Sequence, residues 1–270
     1  MLASPVFKKK LSGPWKESLN DPNSNMRHVE TTDWDAHALL ILLAILHGRT
    51  YQVPQNLDLE MLARIATLVD YYDCREAVQT YGDIWTGHLE ESLFQKCNRE
   101  LVLCIFVSWV FSNETIFNQT TRTATFDAKD PIPTLELPIP QRIIGCTNIG
   151  SDEIESRRRV GMAAICIQLQ EIVFSLRKGS MGCDFVCSSM LLGALTKQMH
   201  DCNLLDLSPG STCLGYGMAA TAATLRAFRS PEWYTSRSRH MHACQLTDMI
   251  FSGIFTSFGT VDEGICLYDL

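Results

Sequence analysis

Apolar positions along this chain recur every three or four residues over most of its length, the period of helices that bury one face. Ser4-Pro5 ahead of Val6, Phe7 and Leu11 marks a helix entry, with proline accommodated in the first turn. Thr32 or Asp33 is expected to cap a helix in which Trp34, Ala38, Ile41, Leu42 and Ile45 share a face and Gly48 ends the run. Asp58 caps the next, whose Leu62, Ile65, Ala66, Val69 and Tyr72 form an amphipathic stripe. A further helix over about 75–85 offers Ala77, Val78, Tyr81, Ile84 and Trp85 to the core, and 99–111 is apolar nearly all round, as for a helix enclosed by others. The short segment Met26 to Glu30 is the one stretch that reads as a strand.

From Asn118 to Pro140 the texture turns Thr-rich and then Pro-rich, and Pro131, Pro133, Pro138 and Pro140 block continuous helix. A domain boundary is expected there. Beyond it the pattern predicts helices from near Asp152 to Gly179, from Asp184 to His200, from Ala219 to Phe228 and from Leu246 to Phe255. The expected fold class is therefore mainly α. Its parts are a first domain over 1–112, a Thr/Pro-rich linker over 113–140 and a second all-helical domain over 141–270.

Composition narrows the class without changing that outline. Hydrophobic residues at 46% and charged residues at 20% suit a folded globular chain. A net charge of -7 supplies no basic field for nucleic acid; the run Arg157, Arg158, Arg159 and the scattered Arg226, Arg229, Arg237 and Arg239 read as solvated faces or loops. No nucleic-acid partner is expected. The longest apolar runs, 38–46 and 101–111, fall short of the roughly 18 to 20 residues that span a bilayer, so no membrane association is expected. The first residues lack the apolar core of a secretory signal, and eleven cysteines, an odd number, suit reduced thiols or metal ligands better than a disulfide framework. An intracellular protein, cytoplasmic or nuclear, is the expectation, and the glycosylation patterns at Asn113 and Asn118 are read as chance.

The order Ser4-Pro5-Val6-Phe7, Gly13-Pro14-Trp15-Lys16-Glu17-Ser18, Trp34-Asp35, Ala38 to Leu43 and His47-Gly48 resembles fungal BTB/POZ-domain proteins. The resemblance continues through Leu59-Glu60-Met61-Leu62-Ala63, Asp70 to Cys74 and Asp83-Ile84-Trp85, at the places of the paired C-terminal BTB helices. Farther on, Gly182-Cys183, Cys187-Ser188-Ser189, Gly193 to Met199 and Ser230-Pro231-Glu232-Trp233-Tyr234 look like the same group. The resemblance implies a BTB-like helical cluster, entered part-way at Met1 and so N-terminally truncated, with at most a short residual strand. It also implies apolar surface on Leu2, Val6 and Phe7 and a non-enzymatic protein-interaction module or adaptor. The partners it implies are proteins, through self-association or a cullin-type ubiquitin ligase.

One constellation carries candidate chemistry. Cys183 and Cys187 lie four apart, one face of a helix, and His242 and Cys244 lie two apart, one side of an extended segment. Together they form a Cys3His set suited to a structural zinc, the one cofactor considered. The same residues also read as buried reduced cysteines with a surface histidine, and His200, Cys202 and His240 are spare candidates. Four protein ligands would leave no open position for a substrate. No zinc-protease, nucleophile-elbow or phosphate-loop motif is present, and Gly215-Tyr216-Gly217 lacks a third glycine, so no catalytic residue is assigned. Trp34, Trp85, Trp109 and Tyr72 are expected in the core, Trp15 and Trp233 at interfaces. Two alternatives stand beside the adaptor: a zinc-stabilised nuclear regulator, and a gene-model fragment without a role of its own.

Overall fold

The computed structural model describes residues 3–14, 16–19, 29–144, 153–208, 210, 213–232, 244–257 and 264–267. The fold is mainly α, with ten α-helices and no strand among the described residues. Of the segment expected as a strand, 29–30 has no regular structure and 26–28 lies outside the described residues, as do Leu2 and Trp15. The chain forms two units, the first made of Met1–Thr121, Thr134–Ile139 and Cys266–Leu270, the second of Arg122–Pro133 and Pro140–Ile265.

In the first unit, α1 (Pro5–Ser12) begins at Ser4, whose hydroxyl accepts from the Phe7 amide and donates to the Tyr72 carbonyl at 2.6 Å. Phe7, expected to be uncovered, instead stacks on Tyr72 with ring centroids 4.3 Å apart. Next come α2 (Ala36–Leu46), α3 (Leu59–Tyr71), α4 (Arg75–Gly87) and α5 (Arg99–Val110). The cap of α2 is Asp35, whose carboxylate accepts from the Ala38 amide at 2.9 Å, and not Thr32 or Asp33. Trp34 therefore precedes the helix and rests, half-buried, against Tyr71. Asp58 caps α3 through the Met61 amide.

The α3 helix packs on α2, α4 and α5, burying Leu62, Ile65, Ala66, Leu68 and Val69. Each large apolar side chain removed from water there contributes about 1.5 to 3 kcal/mol. Trp85 of α4 is buried and donates its indole N–H to the Pro54 carbonyl, so its polar end is satisfied. Beside it Gly82 lies under the Phe111 ring, where an added methyl would overlap the aromatic carbons.

The Thr-rich stretch expected as linker is helical. It forms α6 (Glu114–Asp127), which buries Ile116, Phe117 and Ala124 while Thr120 and Thr121 return their hydroxyls to carbonyls one turn back. The Pro-rich part, 131–140, has no helix, as proline chemistry dictates.

The second unit is built around α7 (Glu153–Lys178), against which α8 (Phe185–Asp201), α9 (Met218–Arg226) and α10 (Leu246–Ser257) pack. Its core joins Met162, Ile165, Leu169, Ile172 and Leu176 to Leu191, Leu195, Met199, Leu225, Leu246 and Ile250. At 26 residues α7 is the one described helix long and apolar enough to cross a membrane by length and composition, although no uninterrupted apolar run of that length exists. Its buried side is this core, and Val160, Ile167 and Phe174 are exposed on the other.

The arginine run divides between surface and interior. Arg157 pairs with Glu153, whereas Arg158 is fully buried, its guanidinium forked onto the Glu155 carboxylate at 2.7 and 2.8 Å. The same guanidinium donates to the carbonyls of Cys213 and Tyr216, each at 3.0 Å, and so pins the loop ahead of α9 to α7. The expectation of a solvated run therefore fails at its middle member. Removing one partner of a buried pair strands the other. Arg158→Ala is accordingly expected to destabilise the second unit by about 3 to 5 kcal/mol, read by denaturant unfolding. Gly82→Ala is expected to cost the first unit about 1 to 3 kcal/mol by overpacking in the same measurement.

Candidate metal centre

The connection between α7 and α8 turns at Gly179 and Gly182, both in the left-handed region that favours glycine. At Gly182 a side chain would meet the Ser188 backbone at 3.1 Å, so the chain can fold tightly over the first turn of α8 only with glycine there. Asp184 follows as the N-cap, accepting from the Cys187 amide at 2.7 Å. This cap leaves Cys183 just outside the helix and Cys187 within its first turn.

Their thiols meet that of Cys244, which lies two residues ahead of α10, and all three sulfurs lie within 4.8 Å of one another. A tetrahedral zinc with Zn–S bonds of about 2.3 Å sets its sulfurs roughly 3.8 Å apart, so the spacing needs only small side-chain rotations to close on an ion. Cys187 is buried, Cys244 half-buried and Cys183 exposed. The cluster thus has a packed floor and an open rim.

Desolvation first, then the hydrogen bond shared with Cys187, pushes the Cys183 thiol up to about 11, although its side chain still meets solvent. Desolvation, followed by the proximity of Cys187, likewise raises Cys244. Without a cation these groups stay neutral thiols near pH 7, since thiolates so close would repel one another. A bound dication reverses that preference, so binding releases protons and weakens as pH falls.

Of the four residues expected to form the site, the structure brings together Cys183, Cys187 and Cys244; His242 lies outside the described residues. Among the spare candidates, His200 and Cys202 lie at the opposite end of α8, a helix of 17 residues, about 25 Å from its start. They belong to no common site with the cluster. His240 and Trp233 fall outside the described residues.

The remaining cysteines have a different chemistry. Burial, with Asp73 nearby, pushes Cys74 up to about 12, and burial beside Glu100 does the same to Cys104. Cys166 is raised to about 11 by burial and by contact with the Cys213 thiol. Such thiols pack as small hydrophobes and are poor nucleophiles. That contact went unread in the sequence, where nothing relates residues 166 and 213.

A shallow depression of about 360 Å3 lies on α7, lined by Ile167, Gln170, Glu171, Phe174 and Ser175. All five side chains come from one stretch of one helix.

No family model, curated protein or solved structure matches the chain. The site therefore rests on its own geometry. Asp184→Ala removes the cap that positions Cys187, and is expected to cost about 1 kcal/mol of stability. It should also weaken zinc binding on the order of tenfold, as measured by competition with a chromogenic chelator.

Proposed function

We propose that the chain is a non-catalytic protein-interaction module whose second unit is closed by a structural zinc ion held by Cys183, Cys187 and Cys244, with His242 as fourth ligand. The observation that carries the reading is the convergence of three sulfurs from two segments remote in sequence. Chance proximity of buried cysteines accounts less well for it, because Cys183 is exposed rather than buried. His242 stands two residues before Cys244 in sequence, a spacing that would turn both side chains the same way were the segment extended. Soft thiolate donors with one imidazole favour zinc over oxygen-loving cations. Four protein ligands leave zinc no open position for substrate, so its role is to hold structure.

The interaction reading rests on the surface and on the BTB/POZ resemblance. In the first unit Leu40 and Tyr51 are exposed, Tyr51 at 83%. In the second, Phe174 at 66% and Phe185 at 84% stand free, Phe185 directly beside the thiol cluster. Large aromatic side chains that could have been buried but are displayed are suitable anchors for a protein partner. The resemblance supplies the partner classes, self-association or a cullin-type ligase, and an intracellular setting accords with the reduced thiols.

Metal analysis of the purified full chain is expected to find one zinc per chain, and chelation to lower its melting temperature. Cys187→Ser is expected to abolish both. A chain free of zinc after expression in zinc-supplemented medium, with a melting profile indifferent to chelator, would remove the physical basis of the centre. For the interaction class, affinity capture should recover a reproducible protein partner, and Tyr51→Ser or Phe185→Ser should reduce its recovery at least several-fold without changing the far-ultraviolet spectrum. Recovery of nothing specific by the folded chain counts against the module.

A further inference from the structure

We infer that the cysteine cluster is a peroxide-sensitive clasp, in which oxidation of Cys183 to a disulfide with Cys187 expels the zinc and frees the segment that carries Cys244. The inference rests on the metal reading above and concerns the regulation of that same site.

Its basis is the unequal placement of the three sulfurs. Cys183 is exposed, Cys187 is buried and Cys244 is half-buried, yet all lie within 4.8 Å of one another. A hydroperoxide arriving from solvent therefore meets the Cys183 sulfur first, with a second sulfur already in reach to resolve the product. The turn through Gly182 and Asp184 folds Cys183 back on the first turn of α8, so that its sulfur lies within 4.8 Å of that of Cys187.

The chemistry balances with hydrogen peroxide as oxidant. The Cys183 thiolate attacks one peroxide oxygen, the O–O bond breaks, and the departing hydroxide takes a proton to leave as water, giving a sulfenic acid. The Cys187 thiolate then attacks that sulfur. The S–S bond forms, the S–O bond breaks, and the second hydroxide takes a proton to leave as water. Two thiolates have lost two electrons in all, peroxide has become two waters, and zinc, deprived of two of its ligands, departs as the hydrated ion.

The structural effect follows from what each link spans. The zinc joins the start of α8 to the turn ahead of α10, which closes a long loop of chain; the disulfide joins residues 183 and 187, near neighbours in sequence, and constrains almost nothing. Leu246 and Ile250 of α10 are part of the core with α7 and α8. Oxidation therefore exchanges a long-range fastening for a local one and loosens α10 at its first turn.

The test uses the full chain, loaded with zinc, freed of reductant and titrated with hydrogen peroxide. Released zinc is followed with a chromogenic chelator and thiol pairing by peptide mass spectrometry. One zinc per chain is expected to appear in step with one Cys183–Cys187 disulfide, and dithiothreitol with added zinc should restore the starting state. Cys202→Ser, which alters a half-buried thiol at the other end of α8, should leave the dose response unchanged. Zinc retained while Cys97 or Cys202 is oxidised would overturn this inference alone. A Cys183–Cys244 disulfide would also overturn it, because that bond keeps the two segments tied. A chain holding no zinc at the outset overturns the metal reading and this inference together.

Discussion

Three sulfur atoms from two distant stretches of chain meet at one point, and the second unit is arranged so that they can. The tight turn at Gly182 and the cap at Asp184 carry Cys183 and Cys187 to the start of α8. The turn before α10 carries Cys244 to them. A helix end held only by packing frays at little cost. A zinc–thiolate centre contributes on the order of 10 kcal/mol in small zinc domains, far more than any cap or surface ion pair in this chain can supply. A zinc held by these three sulfurs, as proposed above, would be the strongest single fastening in the unit, and its strength would depend on the thiols releasing their protons to solvent as the ion binds.

Around it the remaining architecture is ordinary helix packing. With no sheet among the described residues, the helices bury their apolar stripes on one another, α3 serving as centre of the first unit and α7 of the second. Arg158 fastens the loop ahead of α9 in the way a metal held by the cysteines would fasten the start of α10. It converts a segment without regular structure into a fixed one, through carbonyl contacts at Cys213 and Tyr216 balanced by Glu155. The hydrophobic frame of the second unit thus carries two polar convergences, the Arg158 hydrogen bonds and the three-sulfur cluster.

Local chemistry was legible in the sequence and long-range placement was not. Ser4, Asp58 and Asp184 were readable as helix entries because a cap and its amide are neighbours in the chain. The cap of α2 was not, since Thr32, Asp33 and Asp35 are all competent and only the fold selects the one whose carboxylate faces the Ala38 amide. The threonines of α6 suggested a linker on propensity, yet Ile116, Phe117 and Ala124 on its buried positions outweigh that preference, and the hydroxyls find carbonyls within the helix. Arg158 was hidden in a run of like residues; the Glu155–Arg158 spacing was the available hint, and burial decides which arginine uses it. For the cysteines, spacing paired Cys183 with Cys187 and His242 with Cys244, and the fold brings Cys244 to the first pair.

The central claim is that a zinc ion is bound by three sulfurs and one imidazole at this point. X-ray absorption at the zinc edge of the full-length protein tests it most directly. Three sulfur scatterers at about 2.3 Å and one nitrogen at about 2.0 to 2.1 Å are predicted. A first shell made only of nitrogen and oxygen would contradict it.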